Sequence, residues 1–408
     1  MISYQNAIEF LGQNTQLQPS ETVVTKDSLM RIISNDVYSP IDLPNFDNSA
    51  MDGFAIRYDE TSMASPENPV LLKVTDTIAA EIVPQKSATE FGTCHEIMTG
   101  AAIPVGYDAV IQLELIEEVI KSGERYIKLT APVTKNHNVR FSGEDVQKNS
   151  LVFKVGQRID PSALTILLSL GIAKVVVFKP IEIAIASSGN EISDQYDINL
   201  RYGEIYNSNS PLLLSLASSK NFSARYFGIL NDEESSLYSY IQNSTEQILI
   251  TTGAVSKGKW DFIPETLIKM GAKIIFHSVA IRPGKPILFA RLKDGRYFFG
   301  LPGNPVSTMI GWRFFIIPLL YAMLGQKPES ACKFRMNSKF KKSHNLRQFL
   351  KAKINIDSGV ASFTISKNQE SFKIKSLSEC DAWAIVPEFA SELSAGDLID
   401  VVPLYANI

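Results

Sequence analysis

From Gly171 onward the sequence alternates short apolar segments with segments of helical periodicity, and this alternation constrains the fold more than any other feature. Strands that are apolar on both faces and are separated by helices predict an open, mainly parallel sheet with helices on both sides. The fold class is therefore multidomain α/β. The predicted strands are 181–186, 224–230, 247–251, 273–279 and 296–301, and the predicted helices are 210–219, 232–242, 261–270 and 304–324.

Polar motifs follow the predicted strands at the edge where such sheets bind ligands. They are Ser188-Gly-Asn-Glu191, Asp232-Glu233, and Thr252-Gly-Ala-Val-Ser-Lys-Gly258 with Asp261. Each motif alone is typical of turns and helix caps, and singly that simpler interpretation is favoured. Their convergence on one edge favours a phosphate site instead. Glycines expose backbone N–H groups there, and Glu191 and Asp261 are oxygen ligands suited to Mg²⁺.

A second stretch supplies positive charge. Arg282 and Lys285 lie in a turn stiffened by Pro and Gly, and a later strand ends in Gly300-Leu-Pro-Gly-Asn-Pro-Val-Ser307. Asn304 and Pro305 are typical of the N-cap and first residue of a helix. Free backbone N–H groups and the positive helix end predict an anion-binding site at this turn.

The remaining segments predict β-rich parts and three short helices. Strands at 70–74, 110–113 and 126–129 predict a small inserted β domain, and strands at 349–356, 361–365, 372–377, 383–386 and 398–402 predict a C-terminal barrel-like β domain. Helices are predicted at 4–11, at 25–33 and at 161–170. The proline-rich segment 39–55 concentrates Asp, Asn and Ser, which makes a binding loop at least as favoured as a plain connection.

Composition excludes several classes of function. The 408 residues are 45% hydrophobic and 20% charged, with a formal net charge of −3, which gives no reason to expect nucleic acid. Lys339, Lys341 and Lys342 are expected to form a solvated face. The most apolar stretch, 314–324, is too short to span a bilayer and contains Pro318. Three distant cysteines support neither disulfides nor a zinc site. A cytoplasmic protein without membrane contact is expected.

At this point the motifs resemble one family. Leu43-Pro-Asn-Phe-Asp-Asn-Ser-Ala-Met-Asp-Gly-Phe-Ala55 resembles the hallmark loop of the molybdopterin molybdenumtransferases, the family of MoeA and the gephyrin E domain. Further family signatures follow in the right order: Ile97-Met-Thr-Gly-Ala101, Gly143-Glu-Asp145, Ser188-Gly-Asn-Glu191, Thr252-Gly-Ala-Val-Ser256, Ile281-Arg-Pro-Gly-Lys-Pro286 and Gly300-Leu-Pro-Gly-Asn-Pro-Val-Ser307. The resemblance covers nearly the whole chain.

The resemblance implies four parts and one reaction. The parts are an elongated linker domain (1–45 and 140–175), an inserted β domain (46–139), an adenylyltransferase-like, molybdopterin-binding α/β domain (176–326) and a C-terminal β domain (327–408). The reaction is insertion of molybdate into adenylyl-molybdopterin with Mg²⁺-dependent release of AMP, which completes the molybdenum cofactor. Implied partners are a second copy in a homodimer, the molybdopterin nucleotide, a molybdopterin adenylyltransferase and molybdoenzyme acceptors. Two alternatives stay open: an adenylyltransferase-like or pyrophosphatase enzyme acting on a related nucleotide, and a non-catalytic gephyrin-like scaffold.

The resemblance also assigns roles to residues. Asp261, Glu191, Lys285 and Arg282 are implied to be catalytic, and Glu191, Asp261 and Asp145 are implied to bind the metal. Implied substrate-binding residues are Asp52, Thr99, Gly253, Ser256, Asn304, Ser307, Asp232 and Arg347, with Asp52 and Thr99 acting across the dimer. The chain departs from the family pattern at Arg282, Ala254 and Asn190, where Lys, Gly and Asp are usual, and at Asp381-Ala382, where Asn-Gly is common.

Overall fold

The computed structural model describes residues 1–80, 90–220, 222–255, 262–357 and 359–406. The chain divides into two compact units. The large unit contains Met1–Glu21, Met30–Ser34 and Val176–Ile408, and the small unit contains Thr22–Leu29 and Asn35–Val175.

The large unit starts with helix α1, Tyr4–Gln13, whose helical spacing buries Ala7 and Leu11 as predicted. The backbone N–H of Asn6 donates to Ser3 Oγ at 3.1 Å and caps the helix. The helix predicted for 25–33 is wrong. Thr25–Asp27 forms only a short 3-10 turn, and Ile33 instead makes an antiparallel bridge with Val177. A short apolar segment is compatible with a helix or with a strand. Here Ile33 is extended because it pairs with the distant Val177.

A six-stranded sheet forms the core of the small unit, as the predicted inserted β domain requires. In spatial order the strands run β4-β1-β3-β2-β6-β5. Only β2 and β3 are parallel to each other among the pairs of this described sheet. The strands are β1 Gly53–Ile56, β2 Val70–Ile78, β3 Thr93–Ile97, β4 Ala109–Gln112, β5 Glu117–Lys121 and β6 Glu124–Leu129.

Shorter pieces complete the small unit. Asn48–Ser49 pairs with Val139–Arg140, and Val37–Tyr38 pairs with Leu151–Phe153. Helix α2, Pro161–Ser169, is the predicted one, and the side chain of Asp160 caps it by accepting from Ala163 N at 2.8 Å.

The large unit contains the predicted α/β sheet. Its strand order is β8-β7-β9-β12-β11-β10. Strands β8, β7, β9 and β12 are parallel to their neighbours, and β11 is antiparallel to both β12 and β10. Helices α3, α4 and α5 connect successive strands. The strands are β7 Glu182–Ser188, β8 Ser223–Leu230, β9 Ile248–Thr252, β10 Lys273–His277, β11 Leu288–Arg291 and β12 Tyr297–Leu301; the helices are α3 Asn209–Ser218, α4 Glu234–Asn243 and α5 Ile263–Lys269.

Successive residues of the central strands pack into two different cores, as a sheet covered on both faces requires. On β7, Ile183 and Ile185 join the core that contains residues of α1 and α3. The intervening Ala184 and Ala186 join the core of α4 and α5. The three layers hold the parallel strands so that their carboxyl ends form one edge.

Helix α6, Pro305–Met323, follows β12 and is long and apolar enough to cross a membrane by length and composition alone. Of its most apolar window, 89% is buried within the protein, which is typical of a core helix. Trp312–Ile316 within it has π-helical hydrogen bonding.

The C-terminal part of the large unit is a closed five-stranded barrel, in which β14 pairs with β15 on one side and β16 on the other. The strand predicted at 372–377 is wrong, because Lys375–Glu379 forms a 3-10 helix. The barrel closes by pairing of Arg347–Asp357 with Ala382–Val386, so the segment 372–377 is not one of its strands. The strands are β13 Cys332–Met336, β14 Arg347–Asp357, β15 Val360–Ile365, β16 Ala382–Val386 and β17 Leu398–Pro403.

Candidate active site

A cleft of about 360 Å³ opens at the carboxyl ends of the parallel strands in the large unit. Its walls come from the residues that end β7 and β9 and from those that follow β8 and β12. Among them are Ser188, Glu191, Asp232, Thr252, Gly303 and Asn304. Motifs far apart in the chain therefore meet at one edge of the sheet, as expected for this class of fold.

Two glycines give the cleft its backbone shape. Gly253 has φ +98°, and a Cβ there would lie 2.3 Å from the carbonyl oxygen of Ser188. Gly189 has φ +148°, and a Cβ there would lie 2.6 Å from Glu191 Oε2. Only glycine fits both positions, because each combines a left-handed backbone with close approach of another group. The bare backbone leaves room for a ligand phosphate.

Two carboxylates line the cleft. Glu191 is exposed, and Asp232 accepts a hydrogen bond from Ser188 Oγ at 3.2 Å. The backbone N–H of Asp232 donates to Asn190 Oδ1 at 3.4 Å, which gives Asn190 a role that an aspartate oxygen could fill equally. Within the described residues no group of three His, Cys, Asp or Glu side chains could hold a metal ion. One or two carboxylates nevertheless fit Mg²⁺, which usually takes its other ligands from phosphate and water.

Asn207 and Thr252 line the cleft and belong to a buried network of hydroxyl and amide groups that sequence reasoning missed. Asn207 Oδ1 accepts from Ser187 Oγ at 3.0 Å and from the Ser210 backbone N–H at 3.2 Å. Ser187 Oγ also lies 2.8 Å from Ser210 Oγ and 3.3 Å from Thr252 Oγ1. The only sequence signal was Asn207-Ser-Asn-Ser210 before Pro211, which is equally typical of a helix start.

The side-chain amide nitrogen of Asn207 is also held by hydrogen bonds. Its amide donates to Asp194 Oδ1 at 2.8 Å and to the Tyr226 hydroxyl oxygen at 3.0 Å. The Tyr226 hydroxyl in turn donates to Asp194 Oδ2 at 2.6 Å. Burial, and then the Asp194 carboxylate, raise the pKa of Tyr226 above its ordinary value. The phenol therefore stays protonated and keeps the Asn207 amide in one orientation.

A cluster of basic side chains lies where the barrel begins. Ile281–Arg282 pairs in parallel with the start of β14, and the Arg347 N–H donates to Ala280 O at 3.0 Å. The guanidinium of Arg347 lies 4.7 Å from the ring centroid of Tyr4 and is bound to the carboxylate of Glu388. Burial is the main cause that raises the pKa of Tyr4 to about 12. Two predicted anion-binding residues, Arg282 and Arg347, thus share one pair of strands.

Lys342 belongs to this cluster, and its predicted place on a solvated face is wrong. The residue is 6% exposed, and its ammonium donates to the carbonyl oxygens of Leu346, Pro387 and Glu388. Burial lowers the pKa of Lys342. Burial, then the charges of Arg282 and Lys342, lower the pKa of His344, so this imidazole is neutral at neutral pH.

The structure divides the predicted site residues among three places. Of the described ones, Glu191, Asp232, Gly253 and Asn304 line the cleft, whereas Arg282, Lys285, Ser307 and Arg347 do not. Ser307 is 4% exposed, so it lies inside α6 rather than at an open surface. Ser256 and Asp261 lie outside the described residues. Asp52, Thr99 and Asp145 belong to the small unit.

Within the small unit the predicted binding loop meets two other motifs. Asp52 Oδ1 accepts from Thr99 N at 2.7 Å and from Thr99 Oγ1 at 2.8 Å. Asp47 Oδ1 accepts from the Ser142 N–H at 2.7 Å, and the Asp145 N–H donates to Leu43 O at 3.0 Å. Three motifs that are separate in the sequence therefore form one polar surface.

Comparison with known proteins covers the chain in three parts. Residues 2–171 match the MoeA N-terminal region (domain I and II), residues 184–322 match a probable molybdopterin binding domain, and residues 333–404 match the MoeA C-terminal region (domain IV).

Full-length relatives carry one name. The chain is 33% identical to a molybdopterin molybdenumtransferase of Synechococcus elongatus, over 98% of this chain and 99% of that protein. It is 32% identical to one of Staphylococcus aureus, over 98% and 95%. A crystal structure of a molybdopterin biosynthesis MoeA protein from Pyrococcus horikoshii has a TM-score of 0.83 and 29% identity, and covers 100% of both chains.

Proposed function

Because this chain belongs to the molybdopterin molybdenumtransferase family, transferases of molybdenum cofactor biosynthesis, we propose that it inserts molybdate into adenylyl-molybdopterin with release of AMP. The observation that carries this proposal is the cleft in the large unit. It places bare glycine backbone, two carboxylates and the start of α6 around one volume of about 360 Å³. Such a surface suits a phosphorylated ligand that needs hydrogen-bond donors and a divalent cation.

Each part of the cleft has a proposed task. Backbone N–H groups in the first turn of α6, after Asn304, bind phosphate oxygens, and the bare backbone at Gly253 leaves them room. The network around Asn207 keeps the hydroxyls of Ser187 and Ser210 in place. Glu191 would hold Mg²⁺, with Asp232 beside it in the cleft and Asp261 as a further ligand that the sequence predicts. The cation would neutralise the phosphate charge that grows as AMP leaves.

The second substrate, molybdate, is a tetrahedral dianion, and the basic cluster suits it. Arg282 and Lys285 are exposed, and Arg347 presents a planar fork of donors. Arg282, where the family usually has lysine, keeps the positive charge and presents its donors as a planar fork. We propose that these three side chains bind molybdate, and that buried Ser307 supports the start of α6.

The family resemblance also implies a homodimer in which a second copy supplies Asp52 and Thr99 to the substrate. We keep this as part of the proposal. A mixed-dimer experiment tests it: a copy with Glu191→Gln is combined with a copy with Asp52→Ala. Recovery of activity in the mixture supports sharing of residues between copies, whereas two inactive variants that stay inactive together contradict it.

Turnover of the purified protein is the decisive experiment. With adenylyl-molybdopterin, Mg²⁺ and molybdate, we expect AMP release and formation of active molybdenum cofactor. Glu191→Gln should abolish AMP release while the far-UV circular dichroism stays that of the wild type. AMP release that does not need molybdate would indicate an adenylyltransferase-like or pyrophosphatase enzyme, and tight binding without turnover would indicate a scaffold.

A further inference from the structure

One part of the cleft wall is apolar and aromatic, and the proposed phosphate and Mg²⁺ sites do not use it. Ile192, Ile205 and Tyr206 line the cleft beside Glu191, and Ile205 and Tyr206 are 53% and 40% exposed. We propose that the ring of Tyr206 is the surface on which the planar nitrogen heterocycle of the substrate, its adenine or its pterin, stacks. This inference rests on the proposed function, because it assigns a further part of the same nucleotide to the same cleft.

A second tyrosine supports this ring. The rings of Tyr196 and Tyr206 are stacked, with 5.9 Å between their centroids and 29° between their planes. Of the two rings, that of Tyr206 lines the cleft. Tyr196 covers one face of the Tyr206 ring, so the other face and the ring edge remain for a ligand. Aromatic rings attract one another at such centroid distances in offset stacks, and a bound heterocycle would extend this stack by one ring.

Both rings are held in place through their hydroxyl groups. The Tyr206 hydroxyl donates to Ile198 O at 2.6 Å, and the Tyr196 hydroxyl donates to Asn207 O at 2.6 Å. A tyrosine that only covers the surface has no need of such a bond, because water can satisfy its hydroxyl. Here the ring of Tyr206 is exposed and yet fixed, so stacking of a ligand on it costs little side-chain entropy.

The backbone that carries Tyr206 also holds the proposed Mg²⁺ ligand. Ile192–Ser193 pairs in parallel with Ile205–Tyr206, and the Ile205 N–H donates to Glu191 O at 2.8 Å. One short pair of strands therefore fixes the aromatic ring and the carboxylate relative to each other. A nucleotide joins a planar ring to a phosphate through one sugar, and the cleft offers a surface for each within about 360 Å³.

The chemistry of this wall favours a flat, uncharged group. Two isoleucine side chains and an aromatic ring cannot replace the water around a phosphate or a metal ion. They can bury the faces of a heterocycle, whose ring nitrogens remain free at its edge. Stacking of a base on an aromatic side chain tolerates different bases because every base has a π-face, so adenine and pterin are the same kind of ligand for Tyr206.

Isothermal titration calorimetry of the full chain with MgCl₂ tests the inference with three probes. AMP carries adenine, neopterin monophosphate carries pterin, and ribose 5-phosphate carries neither. In Tyr206→Ala we expect the affinity for AMP or for neopterin monophosphate to fall by about fivefold or more, the scale of one stacked base. The affinity for ribose 5-phosphate should stay that of the wild type. The probe that weakens identifies which of the two rings stacks on Tyr206.

Two variants separate the ring from its surroundings. Tyr206→Phe keeps the ring and loses only the hydroxyl, so the three affinities should keep their wild-type order and ratios. Tyr202→Ala removes a fully exposed ring from the same connection between β7 and α3, and Tyr202 is not among the described residues that line the cleft. All three affinities should be unchanged in that variant. If Tyr206→Ala does not fold, Tyr206→Leu keeps an apolar side chain without a flat ring, and the same losses are expected.

The three probes also keep this inference apart from the proposed function. Unchanged affinities for both ring-bearing probes in Tyr206→Ala and Tyr206→Leu overturn the inference alone, because the cleft then binds its nucleotide without Tyr206. An equal loss for all three probes also overturns it, since Tyr206 would then only maintain the shape of the cleft. A wild-type protein that binds none of the probes contradicts both the inference and the proposed function.

Discussion

Asp52 and Thr99 lie 47 positions apart, yet one carboxylate oxygen of Asp52 accepts both the backbone N–H and the hydroxyl of Thr99 at 2.7 and 2.8 Å. The two hydrogen bonds tie the end of the loop 43–55 to the turn that precedes Gly100. Both side chains are exposed to solvent. The pair therefore organises a polar surface of the small unit rather than its core.

The first prediction concerns the pH dependence of this pair. The backbone N–H and then the hydroxyl of Thr99 lower the pKa of Asp52 from its ordinary value of 3.8. A lowered folded-state pKa means that the pair stabilises the loop above about pH 4 and ceases to do so as the pH falls through the folded pKa. The Thr99 amide proton shift, followed by NMR, should titrate below pH 3.8.

Asp52→Asn supplies the comparison. A neutral amide accepts more weakly than a carboxylate, so the Thr99 amide shift should lose its titration and resemble the acidic wild type at neutral pH. Thr99→Ser keeps both donors and should titrate as the wild type does. A Thr99 shift that titrates normally in Asp52→Asn would show that another carboxylate controls this amide.

The second prediction is that Gly189→Ala lowers turnover by displacing Glu191. A methyl group there would lie 2.6 and 2.7 Å from the two oxygens of the Glu191 carboxylate, and φ +148° disfavours any side chain. Moving a catalytic group by about 1 Å costs on the order of 100-fold in rate, and AMP release should fall by about that amount.

Gly303→Ala is the control for this variant. Gly303 also lines the cleft, but a Cβ there would meet only Gly253 Cα, at 3.9 Å. AMP release should stay within about threefold of the wild type, because ordinary van der Waals contact moves no catalytic group. Equal losses in both variants would mean that cleft volume, not the position of Glu191, limits the rate.

The third prediction is that Ala254→Gly stabilises the protein. Ala254 has φ +51°, where an L-residue is strained and glycine is not. Relief of this strain exceeds the extra chain entropy of glycine, so the free energy of unfolding should rise by about 0.5–1 kcal/mol. Urea unfolding followed by tryptophan fluorescence measures it, because Trp312 and Trp383 are buried in the large unit. A loss of stability would show that packing of the Ala254 methyl outweighs the strain.

The fourth prediction is that Tyr240→Phe destabilises the large unit. The hydroxyl of Tyr240 is buried between β7 and β9, where it lies 2.7 Å from Ala184 O and accepts from the Ile250 N–H at 3.1 Å. Without it, buried main-chain groups lose a partner, which costs about 1–3 kcal/mol. Tyr238→Phe, on the same helix but partly exposed, should leave the urea midpoint unchanged. A similar shift in both variants would remove the hydroxyl as the cause.

Local pattern was enough to predict the α/β fold class and the turns that form the cleft. Alternating apolar segments and helices specify strands and crossovers, because the period of each pattern is a property of neighbouring residues. The glycines of the strand ends are likewise local requirements, as Gly189 and Gly253 show. The barrel was predicted in outline for the same reason, from five apolar segments of which four are strands.

Contacts between distant residues decided the rest. The helix predicted for 25–33 did not form, because Thr25–Asp27 is a 3-10 turn and Ile33 pairs with Val177. Lys342 is buried because its ammonium donates to three carbonyl oxygens. Within the large unit, Glu191, Asp232, Gly253 and Asn304 line the cleft, whereas Arg282 and Arg347 lie where Ile281–Arg282 pairs with the start of β14. Sequence by itself determined the residue types that can bind phosphate and oxyanion. Only the tertiary structure decided that Arg347 meets Glu388, because hydrogen bonds join atoms that are close in space, whatever their separation along the chain.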